Sequence, residues 1–210
     1  NPGPAEFPSG IAVADWNTDG RDDVVYHHYG TRVYGGTTGA VIASGAPAQL
    51  TTYHLPTVAN LDGDAAPELL LSGGFMPVRA MDHDLSTTLW LGTDDRPYPY
   101  VALAACAARP RVIATSLVPG EVKLVDPATA GTVHRFVLAG GRLFADAAAA
   151  TAAGATLGQL ASPAVHTNLT GAGRPSAVIG SSDGWLYAID PCAGTLDFTV
   201  AFGAPVGAVA

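Results

Sequence analysis

Residues 58–74, VANLDGDAAPELLLSGG, lie without a gap over residues 166–182, HTNLTGAGRPSAVIGSS. Asn60 falls on Asn168, Pro67 on Pro175, and Leu69-Leu70-Leu71 on Ala177-Val178-Ile179. The same offset carries AMDHDLSTTLW (80–90) onto AIDPCAGTLDF (188–198), so that Ala80 meets Ala188, Asp82 meets Asp190 and Trp90 meets Phe198. A third copy, VALAACAARPRVIATS (101–116), places Pro110 on Pro67 and Val112-Ile113 on Leu69-Leu70. A fourth opens the chain, with Asp15 on Asn60 and Asp23 on Glu68. A sustained internal period of this length marks a repeat architecture.

Within each copy, a Val/Ala/Ile run leads into a polar loop, and an apolar strand follows. A Gly-rich turn then leads to a third run such as WLYAID (185–190), and a D-P-x-x-G or T-T-G turn to a fourth such as TLDFTV (195–200). Short apolar runs bounded by turn signals at this density predict an all-β chain. Four strands per repeat of about 45 residues predict β-propeller blades. The blades are placed at 10–55, 56–99, 100–139 and 161–204, with an insertion at 140–160. In that insertion, ADAAAATAAGA (145–155) reads as a flexible low-complexity excursion; the alternative is a short Ala helix capped by Asp146. The last residues, PVGAVA (205–210), resemble the opening strand GIAVAD. The expectation is therefore about four blades belonging to a larger propeller of about six to eight.

The polar loops carry the candidate chemistry. In ADWNTDGRDDVVYHH (14–28), Asp15, Asn17, Asp19 and Asp23 stand at positions 1, 3, 5 and 9, with Gly20 at position 6. A hard cation such as calcium takes about six to eight oxygens from carboxylates, amides and backbone carbonyls. Alternate residues of a tight loop converge on one point, and glycine permits the sharp turn. The ligand set is Asp15, Asn17, Asp19, Arg21 and Asp23, with Arg21 giving a backbone carbonyl. The second loop repeats it with Asn60, Asp62, Asp64, Ala66 and Glu68. An EF-hand is excluded, because position 12 is Tyr26 rather than Glu and the flanks are β-rich. The third and fourth loops lack the acids, and there Arg111 stands in place of a cation's charge. Asx-turns that satisfy their own backbone are the alternative reading of the acidic loops.

These stretches resemble the FG-GAP/VCBS repeat, the calcium-loop blade of integrin α-type propellers and of many secreted bacterial proteins. The motif is intact in the first two blades, and SGAP (44–47) and FGAP (202–205) fit it too. The hairpin DGWLYAIDPCAGTLDF (183–198) is similar to the repeat of quinoprotein (PQQ-type) and outer-membrane assembly propellers. Ala188, Asp190 and Gly194 match that repeat, while Ala193 and Phe198 replace its Thr and Trp. The resemblance implies one or two calcium ions and a secreted, cell-surface or periplasmic module for binding, adhesion or assembly. Its partner would be a protein or glycan on a propeller face. A glycan-binding lectin and a quinoprotein oxidoreductase are the alternatives.

Composition narrows the classes further. The 210 residues carry 10 Lys plus Arg against 18 Asp plus Glu, a formal charge of −8, with no basic cluster. Nucleic acid and acidic membranes have no source of attraction here. No run approaches the roughly 18 apolar residues of a membrane span. NPGPAEFPSG (1–10) has neither region of a signal peptide, so export would imply a trimmed chain. No G-x-S-x-G elbow, Walker loop or H-E-x-x-H appears, and a non-catalytic role is expected. His27 and His28 point to opposite faces of a strand and read as structural or surface residues. Trp16 is either a sugar- or peptide-facing ring or a packing residue. Cys106 and Cys192 sit in loops that emerge on one face of adjacent blades, which permits a disulfide without requiring it.

Overall fold

The computed structural model describes residues 10–28, 30–45, 56–73, 76–92, 98–116 and 120–207. The chain divides into two compact units, Asn1–Pro99 and Tyr100–Ala210. Each holds two antiparallel meanders, which makes the protein all-β and of the propeller class.

In the first unit, blade 1 has the order β1 (Gly10–Ala14), β2 (Asp23–His27), β3 (Thr31–Tyr34), β4 (Val41–Ser44). Blade 2 repeats it with β5 (Thr57–Ala59), β6 (Glu68–Gly73), β7 (Met76–Met81) and β8 (Thr88–Leu91). Strand alternation sends every second side chain to one face. Val25 and Val33 of blade 1, with Ala12 and Ala43, therefore meet Val58, Leu69, Leu71 and Met81 of blade 2 in one core. Trp16 and Leu85 close that core. Trp16 is only 4% exposed, so the sugar-facing alternative fails: the ring is worth more packed between two sheets than in water.

In the second unit, blade 3 has β9 (Tyr100–Ala104), β10 (Arg111–Thr115), β11 (Glu121–Val125), β12 (Thr132–Ala139) and a fifth strand, β13 (Arg142–Phe144). Blade 4 has β14 (Ala164–His166), β15 (Ser176–Gly180), β16 (Trp185–Asp190) and β17 (Thr195–Ala201). Ile113, Leu124 and Phe136 pack against Ala177, Ile179, Tyr187 and Ile189. Cys106, in the β9–β10 loop, is bonded to Cys192, in the β16–β17 turn, with Cα atoms 5.6 Å apart. All four sheets shift register once between third and fourth strands, at Val33/Tyr34, Ala80/Met81, Leu124/Val125 and Ala188/Ile189. The repeat thus extends to the bulge that bends each outer strand.

The 140–160 segment is ordered, not the flexible excursion expected. Gly140 and Gly141, at φ of +53° and +74°, reverse the chain from β12 into β13. The helix α1 (Ala147–Ala152) follows, and the Asp146 carboxylate accepts the Ala149 N–H at 2.8 Å as its cap. Ala150 is fully buried against Val137 and Ala139, so the small side chains that looked uninformative make a close-packed helix–sheet contact.

Candidate metal centre

The two acidic loops join the first and second strands of blades 1 and 2. They share a hydrogen-bond frame. The N–H at position 2 bonds the carboxylate at position 9: Trp16 N–H to Asp23 Oδ2 at 3.1 Å, and Leu61 N–H to Glu68 Oε2. Position 3 accepts from position 5, with Asp19 N–H to Asn17 at 3.0 Å and Asp64 N–H to Asp62 at 3.0 Å. Position 5 accepts from position 7, with Arg21 N–H to Asp19 at 3.0 Å and Ala66 N–H to Asp64 at 2.7 Å. These are Asx-turns, which hold the short polar side chains on the inner side of the loop.

Beyond that frame the loops differ. In loop 1, Asp15 spends both oxygens on the backbone, accepting Asp19 N–H and Gly20 N–H at 2.9 Å each. Asp23 is 1% exposed, and its other oxygen accepts Gly36 N–H at 2.9 Å. That bond needs the absence of a side chain at position 36, where a Cβ would fall 1.8 Å from the Asp22 carbonyl oxygen. Arg21 turns its guanidinium to Thr37 Oγ1 at 2.8 Å. Asp23 thereby ties the loop to the β3–β4 turn.

In loop 2, carboxylate oxygens of Asp62, Asp64 and Glu68 lie within 4.8 Å of one another. Asn60 accepts Gly63 N–H at 2.7 Å and donates to the Asp64 carbonyl. Glu68 is fully buried, and its Oε1 has no hydrogen-bond partner. Burial pushes its carboxyl above the ordinary range; the Leu61 N–H opposes the shift, and the charges of Asp62 and Asp64 add to it. A buried, unpartnered carboxylate oxygen costs about 1–3 kcal/mol or more. Three converging carboxylates with one orphaned oxygen match the hard-oxygen donor set of calcium. Among the described residues, no other trio of acidic, His or Cys side chains converges in this way.

The fourth loop is organised by an arginine. Arg174, at position 7, reaches Asp190 Oδ2 at 2.6 Å and Asp197 Oδ1 at 2.6 Å, and Ser176 donates to Asp197 at 3.0 Å. Arg111 of loop 3 donates to the Pro110 carbonyl at 3.0 Å. The guanidinium that meets two carboxylates is therefore Arg174, which sequence reasoning passed over. The signal was present only as Asp82 and Asp190 aligning at the head of each hairpin.

His27 is buried, with Nδ1 2.8 Å from Thr31 Oγ1. A cleft of about 400 Å³ opens in the first unit beside loop 1, lined by Trp16, Asn17, Ile42, Ser44, His83 and Asp84 among others. The Asp84 carboxylate is held below its usual range by the N–H groups of Thr87 and Ser86 and the Thr87 hydroxyl.

No protein-family model matches the sequence, and no curated protein does. Solved structures do. BamB from Moraxella catarrhalis superposes at TM-score 0.59 and 14% identity, over 91% of this chain and 52% of that one. BBS1N, solved in complex with ARL6DN, gives 0.62 and 14%, over 93% and 54%. Saccharomyces cerevisiae Sqt1 gives 0.64 and 13%, over 95% and 50%. The likeness is one of fold, and this chain spans about half the length of each.

Proposed function

We propose that this chain is a calcium-stabilised β-propeller module of the FG-GAP/VCBS kind. On this reading it binds a partner protein outside the cytoplasm and catalyses nothing itself. The observation that carries the reading is Glu68, fully buried, with one oxygen unpartnered and two further carboxylates within 4.8 Å. Asp62, Asp64 and Glu68 would hold the ion, with Asn60 and the Ala66 carbonyl completing the set. Bound calcium supplies the positive charge that three carboxylates lack. Loop 1 is the second candidate, with Asp15, Asn17, Asp19 and the Arg21 carbonyl toward the ion and Asp23 serving as its anchor.

A protein ligand is favoured over a glycan because Trp16, the ring suited to stacking on a sugar, lies in the core. BBS1N was solved with a protein partner, and a propeller face is the surface this fold offers for such a contact. The Cys106–Cys192 bond supports an oxidising compartment, since disulfides persist mainly there.

Thermal melts in calcium and in chelator test the metal. Binding at a hundredfold excess over Kd stabilises by about 2.7 kcal/mol per site. For a chain of this size that raises Tm by roughly 5–10 °C. Glu68→Gln should invert the comparison. In chelator it is at least as stable as the parent at pH 7, since an amide replaces a buried charge; in calcium it is less stable. Superimposable parent curves in the two buffers would overturn the calcium assignment.

A further inference from the structure

In both units the loop between the first and second strands of one blade meets the turn between the third and fourth strands of the next. The second unit closes this junction covalently, with Cys106 of the blade 3 loop bonded to Cys192 of the blade 4 turn. In the first unit Asp84 stands where Cys192 does, when residues 80–90 are laid over 188–198. There the junction is open. It is the cleft of about 400 Å³, to which loop 1 contributes Trp16 and Asn17, β4 contributes Ile42 and Ser44, and the β7–β8 turn contributes His83 and Asp84.

The turn that carries Asp84 is fixed. Leu85, at a φ of +56°, buries its side chain in the core, and its N–H bonds the Asp82 carbonyl at 2.8 Å. The Asp84 carboxylate accepts the N–H groups of Ser86 and Thr87 on Oδ1 at 2.7 Å each, and the Thr87 hydroxyl on Oδ2 at 2.8 Å. Of the roughly four acceptor positions of a carboxylate, these bonds leave one, on Oδ2. A planar guanidinium engages a carboxylate through two parallel N–H bonds, which needs both oxygens; an ammonium needs only one. Behind Asp84 a second carboxylate, Asp82, holds His83 Nδ1 at 2.7 Å. No Lys or Arg is among the described residues that line the cleft. Ile42 and Trp16 give it an apolar wall against which a methylene chain can lie, and Ser44 adds a hydroxyl.

We propose that this cleft receives a lysine side chain of the partner protein, with the ammonium on Asp84 and the methylene stem along Ile42 and Trp16. The inference rests on the reading of this chain as a protein-binding module and names the kind of residue bound. A formal charge of −8 draws a basic partner toward the surface. An anion is repelled by Asp84, and an arginine finds only half of its bidentate set.

Nuclear magnetic resonance titrations of the ¹⁵N-labelled protein in calcium test it. The probes are N-acetyl-lysine methylamide, its arginine and norleucine counterparts, and a peptide with one lysine between glycines. The lysine compound should shift the Trp16 indole N–H resonance, assigned with Trp16→Phe, in a saturable way. The arginine compound should do so more weakly, the norleucine compound not at all, and the peptide at least as well as the lysine compound. Asp84→Asn keeps an oxygen for the two turn N–H groups, so it should melt as the parent does while binding the lysine compound about tenfold more weakly. Ser44→Lys, at an exposed position, supplies the ammonium from within the chain and should abolish the response. Equal shifts from all three compounds, or unchanged affinity in Asp84→Asn, overturn the proposal. No response to any probe overturns the cleft assignment alone, since the rest of the propeller surface stays available to a partner. A cleft that takes the single residue but excludes the peptide overturns the protein partner, and the proposal with it.

Discussion

Asp23 and Glu68 hold the same loop position, and one methylene separates their fates. The shorter side chain reaches Gly36 with its second oxygen, while the longer one leaves its second oxygen without a hydrogen-bond partner and its carboxylate close to those of Asp62 and Asp64. Burial acts on His27 in the opposite electrostatic sense. Its pKa falls from 6.5 to about 4, first through desolvation and then through the neighbouring charge of His28. Between those values the unfolded chain binds a proton that the folded chain refuses, so stability falls as the pH drops from 6.5 toward 4. The slope is about 1.4 kcal/mol per pH unit from this residue. Urea midpoints at pH 7 and pH 5 should therefore separate more for the parent than for His27→Gln, and an equal separation would remove His27 as the cause. The acidic spacing of both loops was legible in sequence because ligand positions are counted along the chain. Convergence was not, since Asn60, Asp62, Asp64 and Glu68 look no better on paper than Asp15, Asn17, Asp19 and Asp23.

Strands and turns were the most legible level. The repeat located all four meanders, because the same apolar run and the same Gly-containing turn recur at fixed separation. β13 and α1 escaped, for two physical reasons. Arg-Leu-Phe is too short to show a period, and an all-Ala stretch has no polar face to set against an apolar one. Only the Asp146 cap marked the helix. The Arg174 cluster escaped as well, since its partners lie 16 and 23 residues away on a different hairpin. It now predicts how blade 4 keeps its first loop without an ion. Asp190 and Asp197 are mostly buried, whereas the Arg174 side chain is 37% exposed. Arg174→Ala should lower the urea midpoint, by an amount that solvent on the arginine side limits. Because Arg174 already neutralises these carboxylates, the loss should be the same in calcium and in chelator.

Across the whole molecule, the disulfide joins residues 86 apart and therefore encloses most of the second unit, from the first loop of blade 3 to the last turn of blade 4. A closed loop of that length restricts the unfolded chain by about 4–5 kcal/mol in the chain-entropy account. It also alters what breakage of the backbone means. A protease that cuts between Cys106 and Cys192, for instance in the exposed turn after α1, severs the chain without separating its ends. The nicked protein should migrate as one band without reductant and as two with it, and two bands under both conditions would show the sulfurs to be unbonded. In surroundings rich in proteases, the pair of sulfurs is a retaining clasp: the polypeptide can be broken there and the two pieces still travel together.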